Sequence, residues 1–283
     1  MNLRVVSTDS HVMEPPDVWS ARVPAHLVDR APRLVAEEDA DWWYADGMKL
    51  MSVHGGADVG VRFDDQSKLR MAARMSEVRR GAYDPDAKLA DMEADGIAAE
   101  VVYTTLGLQL WRLPDSALLY ELFRAYNDYI AEFCAAAPTR LAGVAMILLD
   151  DIEAGTVELR RCSKRGLRGA MISIYPDDSH SYDRDVYAPF WAAAAELRMP
   201  ISLHVGTNRS VPASSSPTSV TSSMALKFLS TPSRYATTAH WVQLSLADMI
   251  FAGVFERHPD LRVVSLEHEA AWAGHFLQTV DYT

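Results

Sequence analysis

Leu3-Arg4-Val5-Val6-Ser7-Thr8-Asp9-Ser10-His11-Val12-Met13-Glu14-Pro15 is the stretch on which the fold turns. It opens as an apolar, β-branched run, the pattern of a buried strand. It closes in acids, a histidine and prolines. Side chains alternate along a strand, so Asp9 and His11, two apart, are predicted to share a face. A carboxylate and an imidazole at the C-terminal end of one strand can share a divalent metal. The same residues also fit a turn cap followed by a polar loop residue, because D-x-H is short and common. The rest of the chain has to decide between the two.

Outward from this strand, the pattern first breaks and then becomes regular. Residues 16–85 read as an excursion that includes a hairpin over 41–50 with Asp46-Gly47 at its turn. Its histidines, His26 and His54, have no ligand spacing and read as surface residues. Asp84-Pro85 is an N-cap followed by an N1 proline, opening a helix that runs to Asp95 and stops at Gly96. Apolar strands are predicted over 97–105, 141–149, 168–175, 199–205 and 261–267. Helices are predicted over 117–137, 152–165, 187–198, 244–258 and 270–280. A Ser-, Thr- and Pro-rich stretch from 206 to about 223 reads as an active-site loop, because the alternation resumes after it.

Strand–helix alternation with long connections implies a parallel sheet of βα units. An open doubly wound sheet is the alternative, but the first turn has no G-x-G-x-x-G and no phosphate loop is visible. The expected architecture is therefore α/β, a TIM-like (β/α)8 barrel. Only six units can be counted, and Thr283 stands about where a seventh strand is due. The chain is expected to form one barrel domain over 1–283, with an inserted segment at about 16–85 and the last strands lacking. A continuation or a partner chain is expected to cover the two strand edges that this leaves open.

Composition narrows the function. The chain has 283 residues, 49% of them hydrophobic, enough for one large core. Its formal charge is -11 with no basic tract, which argues against nucleic acid and anionic membrane as partners. No apolar run approaches the roughly 18 residues of a membrane span. The start carries no signal-peptide pattern, and Cys134 and Cys162 read as reduced thiols, so a cytoplasmic protein is expected.

Asp9, His11, His204 and His268 all fall at predicted strand ends. In a barrel the C-terminal strand ends converge on one mouth, so these four residues are expected to form a metal site. The residues Asp9–Pro15, Tyr126-Asn127-Asp128, Pro200–Gly206, Phe251–Leu261 and Glu267–Trp272 together resemble the metal-dependent amidohydrolase superfamily. The resemblance is to its amidohydrolase-2 branch, with the aminocarboxymuconate-semialdehyde decarboxylase-like and resorcylate decarboxylase-like enzymes, and it covers nearly the whole chain.

The resemblance implies one divalent metal on Asp9, His11 and His204, with Asp9 standing where many relatives have histidine. Zn²⁺ is the favoured ion and Mn²⁺ the alternative. His268 is implied as the acid/base residue. A further aspartate, supplied in relatives by an Asp-aromatic-Pro-His run on the last strand, has no counterpart here, and Asp281 is not assigned to that role. The implied activity is non-oxidative decarboxylation of a small carboxylated or cyclic substrate, with amide or lactone hydrolysis as the alternative. An inactive fragment or a non-catalytic binding protein is the competing class. A homodimer or higher homo-oligomer is expected from the same branch.

Further candidates for substrate contact are Glu14, Tyr175, Arg209, Arg234 and His240. Glu14 would hydrogen-bond a ligand or the substrate, and within E-P-P it reads equally as a turn residue. Arg209 and Arg234 bracket the Ser-rich loop, where they would pair with a substrate carboxylate or lie exposed on the surface.

Overall fold

The structure, a computed structural model, describes residues 4–57, 70, 72–176, 179–209 and 236–283. The expected loop over 206–223 and Arg234 lie largely or wholly outside these residues.

Six strands form one parallel sheet: β1 (Val5–Val12), β5 (Ile97–Thr104), β6 (Leu141–Met146), β7 (Gly169–Ile172), β8 (Ile201–His204) and β9 (Val263–Leu266). They lie side by side in that order. Between β1 and β5 comes a separate three-stranded antiparallel sheet of β2 (Arg33–Ala36), β3 (Asp41–Ala45) and β4 (Met48–Ser52). Its β3–β4 turn is the predicted Asp46-Gly47 pair, both at positive φ, +48° and +76°. From this layer Trp43 packs edge-on against Trp19, ring centroids 5.7 Å apart and both fully buried, and the Trp19 indole donates to the Leu122 carbonyl at 3.1 Å.

Among the described residues the helices are α1 (His54–Ala57), α2 (Pro85–Asp95), α3 (Gly107–Leu110), α4 (Ser116–Cys134), α5 (Ile152–Lys164), α6 (Ala188–Leu197), α7 (His240–Phe251), α8 (Val254–Arg257) and α9 (Ala271–Val280). Their ends are set by local chemistry. The carboxylates of Asp84, Asp115 and Asp151 accept from first-turn amides of α2, α4 and α5. Gly96 closes α2 at φ +70°, a conformation that costs glycine little. The continuous helix predicted over 244–258 is instead two helices. Gly253, at φ +67°, takes the left-handed conformation between α7 and α8 and breaks the run.

The sheet is strongly curled. β1 and β8 stand four positions apart, which in a flat sheet is about 19 Å at roughly 4.8 Å per strand. Yet Asp9 on β1 and His204 on β8 bring side-chain atoms to 3.8 Å. The expected α/β barrel architecture is present as a curled partial barrel, with helices following its strands. The interior wall is seen in the side chains of Tyr103 and Ser202, from β5 and β8, which hydrogen-bond at 2.9 Å and are buried.

Candidate metal centre at the strand ends

Register, rather than simple alternation, sets the first two residues. From Ser7 to Ser10 β1 takes three steps while β5 takes two, Glu100 to Val102. This is a β-bulge, an extra residue that re-aims the side chains after it. Ser7 and Ser10 meet on one side, Oγ to Oγ at 2.7 Å. Asp9 and His11 fall on the other, with Asp9 Oδ1 3.3 Å from His11 Nε2.

Four side chains gather at this point: Asp9, His11, His204 and Glu267. Asp9 Oδ1 lies 3.8 Å from His204 Nε2. Glu267 reaches both histidines at 3.9 Å, Oε1 to His11 Nε2 and Oε2 to His204 Nδ1. Backbone carbonyls orient the imidazoles. His11 Nδ1 donates to Thr104 O at 2.6 Å, and His204 Nδ1 to Val205 O at 2.9 Å. With Nδ1 carrying the proton, Nε2 of each ring keeps its lone pair for the site.

The donor atoms suit a cation. Among the described residues, Asp9 Oδ1, His11 Nε2 and His204 Nε2 are buried without a hydrogen-bond partner. Buried polar atoms are rarely left this way. Ligands about 2.1 Å from a tetrahedral ion stand about 3.4 Å apart, close to the separations found here. Electrostatics point the same way. Burial works to raise the Asp9 pKa, but the adjacent His11 and His204 imidazoles prevail and hold it well below the usual carboxylate range. Burial works to lower the His11 pKa, but the Asp9 carboxylate and the Thr104 carbonyl raise it overall.

His268 follows β9 and is 2% exposed. Its Nδ1 lies 3.0 Å from Ser265 Oγ, and its Nε2 has no hydrogen-bond partner among the described residues. Burial, aided by the nearby His204, pushes its pKa down to about 4, so the ring is neutral at pH 7. Tyr103 lines the same interior; its ring centroid is 5.9 Å from that of His11 and 5.6 Å from that of His204. Burial pushes its pKa up to about 12, so it remains a neutral phenol.

Glu267 was not among the candidates read from the sequence. Alternation along β9 would send Glu267 and His268 to opposite faces. Instead Glu267 and Glu269 both take left-handed φ values, +61° and +59°. Non-glycine residues adopt this conformation at a cost and tend to cluster at functional sites. Glu267 thereby reaches His11 and His204, and His268 next to it lies close enough to His204 to feel its charge. A chain of two acids around a histidine after a strand was the only available signal.

Two candidates for substrate contact need correction. Glu14 is fully buried and accepts from the Thr104 hydroxyl and from the amides of Thr105, Leu106 and Gly107. It has no surface to offer a substrate, because its carboxylate is enclosed by the β5–α3 turn. Arg209 is neither a free cation nor an exposed one, since its guanidinium already holds Asp150 at 2.7 and 2.9 Å. It also donates to the carbonyls of Trp111, Leu113 and Pro114. Tyr175 is 4% exposed and stacks on Trp241, with ring centroids 5.1 Å apart. His240 is exposed at the start of α7, its ring 5.0 Å from that of Trp241.

Comparison with known proteins fits this geometry. The family model described as Amidohydrolase matches residues 71–275. Gamma-resorcylate decarboxylase of Rhizobium radiobacter is 32% identical over 125 residues, 42% of this chain and 38% of that protein. The chain spans about half or less of the length of the curated relatives it matches. Among solved structures, an amidohydrolase of Mycobacterium avium subsp. paratuberculosis K-10 superposes with a TM-score of 0.72 at 18% identity. That match covers 100% of this chain and 77% of the other. A dihydroxybenzoic acid decarboxylase from Polaromonas sp. JS666, with bound manganese and the inhibitor 2-nitroresorcinol, gives 0.53 at 20% identity, over 93% and 64% of the two chains. At these identities the structural likeness speaks to the fold.

Proposed function

The chain belongs to the amidohydrolase family, and from that premise we propose that it is a metal-dependent carboxy-lyase acting on a small aromatic or enol carboxylate. The observation that carries this reading is the set of unbonded, buried donor atoms on Asp9, His11 and His204, joined by Glu267. The decarboxylases among the curated relatives support the choice of reaction.

Asp9, His11, His204 and Glu267 would hold the ion. Two carboxylates and two imidazoles form a harder set than the three ligands expected from the sequence, which favours Mn²⁺ over Zn²⁺; the manganese in the Polaromonas decarboxylase supports this choice. A divalent ion there would supply a Lewis acid for a substrate carboxylate. The chain's own groups do the rest. Neutral His268 would take up a proton from solvent at Nε2 and pass it to the carbon that bears the carboxylate. The new C–H bond forms with a π pair of the ring or enol, so when the carbon–carbon bond then breaks its electron pair restores that π bond, and CO₂ departs. Tyr103, a neutral phenol, keeps the floor of the site uncharged.

We further propose a homodimer or higher homo-oligomer, supported by the exposed apolar side chains of Val5, Val6, Val264 and Leu277 on β1, β9 and α9. No described helix is long and apolar enough to cross a membrane. The two free, buried cysteines suit a cytoplasmic setting.

Elemental analysis of the purified protein is the first test, with about one equivalent of Mn or Zn per chain expected. A His11→Ala/His204→Ala double variant should lose that metal and all CO₂ release from a panel of hydroxybenzoates. A double variant that retains both would remove the site assignment. A metal-loaded wild type that releases no CO₂ across the panel would remove the reaction while leaving the site.

A further inference from the structure

We propose that Glu14 is a positioning residue for His11, acting through the Thr104 carbonyl. The inference rests on the reading of His11 as a metal ligand, but its observations are separate. Glu14 lies three residues beyond His11, past the end of β1, and its side chain crosses to the end of β5. There it meets a run of consecutive donors: the Thr104 hydroxyl, then the amides of Thr105 at 3.2 Å, Leu106 at 2.9 Å and Gly107 at 3.4 Å. Successive amides curled around one carboxyl group form a nest, in which burial pushes the Glu14 pKa up and these donors pull it back. Gly107 also donates to the Thr104 hydroxyl at 2.8 Å, so the turn closes on itself around the carboxylate. A Cβ at Gly107 would collide with the Thr104 side chain, so only glycine allows this closure.

Burying a carboxylate completely is costly unless it is well bonded. A plain turn residue in E-P-P would not need that cost. What the nest fixes is the orientation of the Thr104 peptide, and the carbonyl of that peptide accepts from His11 Nδ1 at 2.6 Å. Thr104 is itself fully buried and has no room to reorient. Glu14 therefore sets Thr104, Thr104 sets the His11 tautomer and ring angle, and His11 Nε2 is thereby presented to the site. Partners behind a ligating histidine commonly carry 10–100-fold in metal affinity, by order of magnitude.

The test uses the full chain in four forms: wild type, Glu14→Gln, Thr104→Val and Thr104→Ser. Two readouts are taken on protein shown to be folded by circular dichroism. One is Mn²⁺ affinity by calorimetry. The other is the ring tautomer of His11, from ¹⁵N-histidine NMR of the metal-free protein, taken along a pH series up to the plateau at which the ring's own ¹⁵N shifts no longer change. Wild type should show the proton on Nδ1. Glu14→Gln places an NH₂ against amide donors, and Thr104→Val removes the hydroxyl. Each should give a mixed tautomer and Mn²⁺ binding weaker by about 10-fold or more. Thr104→Ser restores the hydroxyl and should recover both readouts.

If Glu14→Gln does not fold, Thr104→Val against Thr104→Ser decides the matter. Folded variants that keep the wild-type tautomer and an affinity within twofold would overturn the proposal and leave Glu14 as a brace for the turn alone. Failure of the wild type to bind Mn²⁺ or Zn²⁺ would instead overturn the metal reading, and the tautomer comparison would still decide the role of Glu14.

Discussion

Asn127, in the middle of α4, should be worth far more to this protein than its neighbour Asp128. It is fully buried and uses both ends of its amide. Its Nδ2 donates to Met146 O at 3.0 Å and to Glu158 Oε1 at 2.8 Å, and its Oδ1 accepts from Met146 N at 2.8 Å. It thus completes the backbone pairing of the last residue of β6 and ties α4 to α5. Asn127→Ala removes three bonds at once. Two are neutral, about 1 kcal/mol each, and one is to a carboxylate, about 1.5–3 kcal/mol. Glu158 is still held by Arg161 at 2.7 Å through two nitrogens, so its charge is not left unpaired and the lower end applies. The expected loss is about 3.5 kcal/mol, a large part of the roughly 5–15 kcal/mol that holds a typical domain together. Asp128→Ala breaks half-exposed contacts to Arg161 and Arg165 and should cost under about 1 kcal/mol. Urea unfolding of both variants at constant m-value measures the difference. A loss below about 1.5 kcal/mol for Asn127→Ala, or a larger loss for Asp128→Ala, would refute the reasoning.

Arg209→Lys keeps the charge but loses the fork that reaches Asp150 and three carbonyls, so a cost of about 2–3 kcal/mol is expected. Thermal unfolding should show a fall of roughly 5–10 °C, and a Tm within 1 °C of wild type would count against the clamp. Asp248, on α7, has its pKa pushed up to about 6 by burial and by the Asp183 charge. Its folded form holds a proton more tightly than its unfolded form, so stability falls as pH rises from about 4 to 6. Asp248→Asn should therefore be more stable than wild type at pH 7.5, by about 1 kcal/mol after allowance for its open side, and indistinguishable from it at pH 3.5. Equal stability at pH 7.5 would show that Asp248 bears no such strain.

The elements that could be read in the sequence are those written in local chemistry. Asp84 and Gly96 marked helix ends, and Asp46-Gly47 marked a hairpin. The runs at 97–105 and 199–205 marked strands, though the hydrogen-bonded portions are shorter than the apolar runs. Asp9, His11 and His204 were legible as a group because each ends a strand. Glu267 was not, because its reversal depends on backbone angles that no residue preference announces. Arg209 and the substrate reading of Glu14 were misjudged for a related reason. Their partners, Asp150 and the turn after β5, are supplied by distant parts of the chain, and an ionisable residue in a loop looks the same whether it will be solvated or enclosed. The break at Gly253 was visible as a glycine, but a single glycine within a helical pattern does not by itself say whether the helix bends or stops.

The gathering of Asp9 and Glu267 around two histidines also bears on how the protein comes apart. The two carboxylates come from near opposite ends of the chain, so this contact is among the last that a folding molecule can make. An ion held by both would do little to speed folding, because few of its ligands are assembled at the transition state. It would act on the reverse step, since the first opening of the barrel has to release it. Metal should therefore lengthen the lifetime of the native molecule while leaving its folding rate nearly unchanged.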